Sequence, residues 1–153
     1  MRVMSTVESR PNERILIVAR DEDLRSALYD TLDGHYTLSQ AGNFEEALSE
    51  ILLTDFDLIV TEAELPDLSG MDLLAVVGGL RPNTSVIVID DDLSAKSAVA
   101  VFRLGAVDYL YKPLNMTFVT MQIERQMESR RQRRNPHDTA EPPKPQEAAR
   151  DRA

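Results

Sequence analysis

The sequence predicts an α/β protein: a doubly wound, five-stranded parallel sheet covered on both faces, in three α/β/α layers. Three observations carry this. Five short apolar runs recur between residues 15 and 110, each followed by apolar residues at helical spacing, and strand–helix alternation of that kind makes a parallel sheet with right-handed crossovers. The runs Ile15-Leu16-Ile17-Val18 and Val86-Ile87-Val88-Ile89 are apolar throughout rather than alternating, as strands buried on both faces are. Ala19-Arg20, Glu62, Asp90 and Lys112 fall at or just past the ends of the runs. A sheet of this type carries its site there, beyond the carboxyl ends of its strands at the topological switch point.

Each element has its own signal. After the first strand, Leu24, Ala27, Leu28 and Leu32 follow helical spacing, and Gly34 is placed to end that helix. Tyr36 to Ser39 reads as a weaker, edge-like strand. Asn43 can cap a helix bearing Phe44, Ala47, Leu48, Ile51 and Leu52, with Glu46 as its capping-box partner. Leu58 to Thr61 is the third strand, and a helix from about Gly70 is expected to stop near Gly78-Gly79. Val86 to Ile89 is the fourth strand. The next helix holds Ala98, Val101, Phe102 and Leu104, with Gly105 closing it. Val107 to Leu110 is the fifth strand, and a last helix starts near Asn115.

Length bounds the rest. In 153 residues one domain with a single substantial core and a tail is expected. The chain has no Cys, which excludes disulfides, thiolate catalysis and Cys-based zinc sites. His35 and His137 are far apart, and neither sits in a ligand-spaced motif. Residues 1–13 lack the apolar run of a signal peptide and nothing approaches a membrane span, so a cytoplasmic location is expected.

The net charge of −9 is uneven: residues 1–113 hold 9 Lys/Arg against 20 Asp/Glu, and residues 114–153 hold 8 against 6. So acidic a body is disfavoured as a nucleic-acid surface, which needs a basic footprint. The expected organisation is a flexible N-terminal segment (1–13), the domain (14–125), a basic extension of the last helix (126–135) and a disordered, Pro-rich tail (136–153). With only the tail after that helix, a stand-alone module is expected.

The run Asp57-Leu58-Ile59-Val60-Thr61-Glu62, then Leu65-Pro66-Asp67-Leu68-Ser69-Gly70, is a strand ending on a carboxylate and a turn opening a helix. With Ile15 to Val18 before it and Tyr109-Leu110-Tyr111-Lys112-Pro113 after it, the chain resembles the receiver domain of two-component response regulators over roughly residues 14–125. The resemblance implies a flavodoxin-like (βα)5 fold with strand order 2-1-3-4-5 and a role in signal transduction. It also implies five site positions: a Mg²⁺-binding acidic pair, a phosphoacceptor Asp, a Thr or Ser, a Lys and a switch aromatic.

Several of those positions hold other residues here. The acidic pair is Ala19 and Arg20. Ala has no ligand atom and Arg is a permanent cation with no acceptor, so Mg²⁺, which needs oxygen ligands, is expected to be lost, although Asp21 stands next door. No cofactor is expected. Glu62 replaces the phosphoacceptor with a longer carboxylate, and Asp90 stands at the Thr/Ser position. Lys112 is kept, followed by Pro113 with an implied cis peptide bond, and Tyr109 holds the switch position. This predicts a degenerate pseudo-receiver in which Arg20 bridges Glu62 and Asp90 in place of the metal while Lys112 pairs with Glu62. Plainer readings stand beside it: Glu62 as a solvated rim charge, Asp90-Asp91-Asp92 as a polar loop capping a helix, Tyr109 as core. A metal held by Asp21, Glu62 and Asp90 is disfavoured by Arg20 in their midst.

The function expected is phosphorylation-independent protein–protein interaction, without enzymatic activity. The partner would be another signalling protein, a kinase or an output protein, or a second copy docked on the face made by the fourth helix, fifth strand and fifth helix. Ala95, Val99, Ala100 and Val107 are expected to be at least partly exposed there, the alternative being scattered surface hydrophobics. Arg130, Arg131, Arg133 and Arg134 form a basic helix end, which could touch an anionic partner or simply suit the helix dipole. Two other functions remain open: a phosphorelay receiver modified in an unorthodox way, and a regulator that contacts nucleic acid through the Arg-rich end.

Overall fold

A computed structural model describes residues 10–91 and 94–134. Five strands and five helices alternate: β1 (Arg10–Val18), α1 (Glu22–Leu32), β2 (Tyr36–Ala41), α2 (Phe44–Leu53), β3 (Leu58–Glu62), α3 (Gly70–Leu80), β4 (Ser85–Asp90), α4 (Ala95–Arg103), β5 (Asp108–Tyr111) and α5 (Met116–Arg134). The strands form one parallel sheet in the order β2-β1-β3-β4-β5. Side chains alternate between its faces. Leu16, Val18, Ile59, Val86 and Val88 pack with Ala47 and Ile51 of α2, Leu73 and Val77 of α3 and Val101 of α4. Ile15, Ile17, Leu58, Val60, Ile87 and Ile89 pack with Leu28 and Leu32 of α1 and Val119, Ile123 and Met127 of α5. The central strands are therefore buried on both sides, which explains their unbroken apolar runs. Among the described residues no helix is long and apolar enough to cross a membrane.

Local chemistry sets the helix ends. Asp21, Asn43, Ser69 and Ser94 each accept backbone N–H groups as N-caps of α1, α2, α3 and α4. Gly34 and Gly105 follow α1 and α4 with φ of +85° and +103°, values a side chain disfavours. Glu46 departs from the expected capping box: its Oε1 accepts the N–H of Gly42, not that of Asn43, at 2.8 Å. The full box lies on α3 instead, between Ser69 and Asp72.

Two boundaries shift by a residue or more. α3 runs through Gly78 and Gly79 to Leu80; Pro82 ends it by driving the preceding Arg81 out of the α region, to φ −136° and ψ 67°. β1 begins at Arg10, within the segment read as flexible, because Glu13 is buried and ion-paired to α5. The basic stretch belongs to the last helix: α5 is continuous to Arg134. The tail lies outside the described residues.

Candidate functional site

The order β2-β1-β3-β4-β5 puts the switch point between β1 and β3, where consecutive connections leave in opposite directions. Glu62 closes β3 there, in register with Ile89 of β4 and 4% exposed. Backbone bonds from Ala63 N–H to the Ile89 carbonyl (2.7 Å) and from Lys112 N–H to the Asp90 carbonyl (2.9 Å) carry the register past the strand ends. The loop from β3 to α3 then turns back tightly: a Cβ on Gly70 would lie 2.2 Å from the Glu62 carbonyl oxygen. Asp67 fastens this loop by accepting the N–H groups of Phe44 and Glu45 at the start of α2. Slight desolvation works against it, yet these bonds and that of Leu68 hold the Asp67 carboxyl below its ordinary pKa.

Both oxygens of Glu62 are occupied. Oε2 accepts from Lys112 Nζ at 2.6 Å and Oε1 from the Asp21 N–H at 3.0 Å. Lys112 also meets Asp91 at 3.0 Å. Partial burial acts to lower the Lys112 pKa, but hydrogen bonds and attraction from Glu62 and Asp91 outweigh it and raise the pKa above the ordinary value. Asp91 was legible only as part of a helix-capping loop. Asp90 ends β4 and accepts the Tyr109 hydroxyl at 2.8 Å, while Tyr109 is buried against the α3/α4 face of the core. The Lys112–Pro113 peptide bond is cis.

Arg20 corrects the expectation. It is exposed, and no hydrogen bond or ion pair joins it to Glu62 or Asp90. The reason is competition: Lys112 already neutralises Glu62 and the Tyr109 hydroxyl serves Asp90. A guanidinium drawn inward would lose hydration for no unmet acceptor. Ala19 is fully buried; its carbonyl accepts from Arg25 at 2.6 Å and its N–H donates to Ala41. Asp21 turns its carboxylate away from the sheet to cap α1, accepting from Asp23 and Leu24 at 2.9 and 3.2 Å. Among the described residues no group of three or more His, Cys, Asp or Glu is arranged to hold a metal ion.

The profile of the response regulator receiver domain matches residues 15–124. This chain belongs to that family. It is 35% identical over 106 residues to the response regulator protein PilR of Pseudomonas aeruginosa, an alignment covering 68% of this chain and 24% of PilR. FleR of the same organism is 32% identical over 102 residues, covering 65% of this chain and 21% of FleR. The chain thus spans about a quarter of the length of those relatives. Among solved structures, a CheY-like receiver domain protein from Methanospirillum hungatei superposes with a TM-score of 0.75 at 27% identity, covering 79% of this chain and 98% of that one. A response regulator from Burkholderia pseudomallei carrying a phosphorylated aspartic acid superposes at 0.65 and 27% identity, covering 76% and 74%. The receiver domain is a module of two-component signal transduction.

The two remaining groups of predicted residues divide. Val99 is exposed and Ala100 and Val107 are partly so, while the Ala95 side chain lies outside what is described. Larger apolar side chains share those elements: Phe102, Tyr111, Phe118 and Met121 are between 48% and 61% exposed. On α5 the buried stripe Val119, Ile123 and Met127 accounts for the helical spacing, which leaves Phe118 and Met121 as a second apolar side.

The Arg-rich end folds back onto the domain. Arg131 clamps Glu13 with two bonds, at 2.9 and 2.7 Å, and also meets Glu124 and Glu128 at 2.9 Å. Bonding to Glu13, countered in part by burial, raises its pKa. Arg130 and Arg134 both reach Asp57 Oδ1. Glu13 and Asp57 were not anticipated as their anchors; nothing in local sequence pairs residues this far apart.

Proposed function

We propose that this receiver is a pseudo-receiver, which signals by docking onto another protein without accepting a phosphoryl group. The observation that carries this is the saturation of Glu62: one oxygen is held by Lys112 and the other by the Asp21 amide. An attacking carboxylate must present a free oxygen beside a bound metal, and the residues here do not fit Mg²⁺. Ala19 has no donor, Asp21 is spent on the helix cap, and Arg20 brings a positive charge to the same strand end. Asp90 adds a carboxylate where phosphoryl oxygens would need a hydroxyl. It holds Tyr109 inward through the phenol instead, so the switch aromatic keeps one position without an input.

The docking surface in this reading is the face of α4, β5 and α5, where Val99, Phe102, Tyr111, Phe118 and Met121 are exposed; α4 packs beside β5, and Gln122 of α5 bonds Asp108 of β5. Its partner is another signalling protein. Contact with nucleic acid is disfavoured by the acidic body of the domain, and Arg131 is committed to Glu13, Glu124 and Glu128. Incubation of the full chain with a small phosphodonor and Mg²⁺, followed by intact-mass measurement, tests the central claim. No mass change is expected; the gain of one phosphate, lost again in Glu62→Gln, would overturn it in favour of unorthodox phosphotransfer.

A further inference from the structure

At the opposite end of the sheet, the turn leading into β4 faces the last turns of α5 across a cavity of about 520 Å³. Asn83, Ser85, Val107, Arg130, Arg133 and Arg134 line it. Three guanidiniums and no carboxylate stand in this wall, although the chain carries a net charge of −9.

The three are not equally committed. Arg130 donates through Nη1 to the Asn83 carbonyl and, at 3.1 Å, to the Ser85 hydroxyl, and through Nη2 to Asp57 at 3.3 Å. Its Nε is buried and has no acceptor. Arg134 meets Asp57 at 3.2 Å and Glu13 at 3.6 Å but is half exposed. Arg133 donates to the Ser129 hydroxyl at 2.8 Å and pairs with no carboxylate among the described residues.

We infer that this cavity binds a phosphorylated small molecule, with Arg133 and Arg134 holding its phosphate oxygens and Arg130 forming the charged floor. Guanidinium forks match phosphate oxygens in geometry and charge. The volume falls in the range of small-molecule sites, about 300–1,000 Å³, and exceeds what a lone phosphate fills. Val107 offers apolar surface for the remainder of the ligand. The carboxyl end of α5 opposes an anion with about half a negative charge, which the Arg133 cation, with no carboxylate beside it among the described residues, outweighs. This site lies at the far end of the sheet from Glu62, so it stands or falls separately from the reading of the receiver as phosphorylation-independent.

Isothermal titration calorimetry of the full chain with pyrophosphate, and separately with adenosine diphosphate, at constant ionic strength tests the assignment. Saturable binding at one site is expected, weakened about tenfold or more in Arg133→Ala. Arg125→Ala removes the same charge from an exposed position on α5 outside the cavity and should leave affinity unchanged. Tighter binding of the nucleotide would place its base against Val107, and equal binding would identify an inorganic polyphosphate site. Absence of saturable heat with both probes at millimolar concentration overturns the inference. So does equal weakening by Arg125→Ala, which would mean diffuse attraction only.

Discussion

Replacing Lys112 with Met would leave the Glu62 carboxylate 4% exposed with its Oε2 unpaired. Removing one partner of a buried ion pair costs about 3–5 kcal/mol. Here the cost is reduced on two counts. Lys112 is itself a quarter exposed, so water reaches the pair, and the Asp21 amide still holds Oε1. A loss of about 2–3 kcal/mol follows, the worth of one charge-assisted bond with its desolvation penalty. For a folded region of this size that lowers Tm by about 10 °C. Glu62→Gln alone should cost less, because the Lys112 ammonium keeps Asp91 and solvent. The double variant has no buried charge and should regain most of the Lys112→Met loss, giving a coupling of about 1.5–2.5 kcal/mol in a double-mutant cycle. Thermal and urea denaturation of the four proteins measure this. A double variant as unstable as Lys112→Met, or a Lys112→Met within about 0.5 kcal/mol of the parent, would refute the assignment of Lys112 as the counter-ion.

Two further outcomes can be measured on the same footing. Gly70→Ala should destabilise by about 3 kcal/mol or more, since its Cβ would meet the Glu62 carbonyl oxygen at 2.2 Å and backbone must move. Gly78→Ala, with nothing within 4 Å of its Cβ on an exposed part of α3, should stabilise by about 0.5–1 kcal/mol; a fall in Tm there would show that α3 needs the glycine. Alkaline pH should unfold the protein through two groups. The pKa of Tyr36 is raised by burial and by its bond to Glu124, and that of Lys112 by Glu62 and Asp91 against the pull of desolvation. A folded pKa above the unfolded one stabilises at pH below the unfolded value, about 10 for both groups, and the gain disappears as pH climbs through the folded value. Urea midpoints should therefore hold steady to about pH 9.5 and fall beyond it. Tyr36→Phe and Lys112→Met should each flatten part of that fall, and an unchanged slope in both would count against these two groups as its source.

The fold was legible because its signal is local and redundant. Four-residue apolar runs, a cap at Asn43, and glycines at 34 and 105 each fix a boundary within a few residues. Where the reading failed, a second rule outranked the one applied. At α3, Gly78-Gly79 only weakens helix propensity, whereas Pro82 forbids the residue before it from continuing. The site was legible as a set of positions but not as a set of bonds. Register places Glu62, Asp90 and Lys112 at adjacent strand ends, yet which cation reaches which carboxylate depends on side-chain reach and on what else competes. The sequence reading brought both cations to Glu62; Lys112 reaches it at 2.6 Å, and Arg20 stays exposed. The Glu13–Arg131 clamp joins residues 118 apart, and no periodicity announces a contact of that separation.

The competition at Glu62 also says why the longer carboxylate suits this chain. An Asp ends one methylene sooner. Glu62 spans from the end of β3 to the ammonium of Lys112 on one side and the Asp21 amide on the other, tying β1, β3 and the turn after β5 through one side chain. In the proposed reading no phosphoryl group arrives to make these ties. Here they are made by the protein alone, at a burial where each bond is strong. In the proposed reading this favours a single state over exchange between two. The Tyr109 phenol on Asp90 extends this to the β5 edge that leads to the proposed docking face. Loosening either bond, rather than adding a phosphate, is what should change the affinity of that face for its partner.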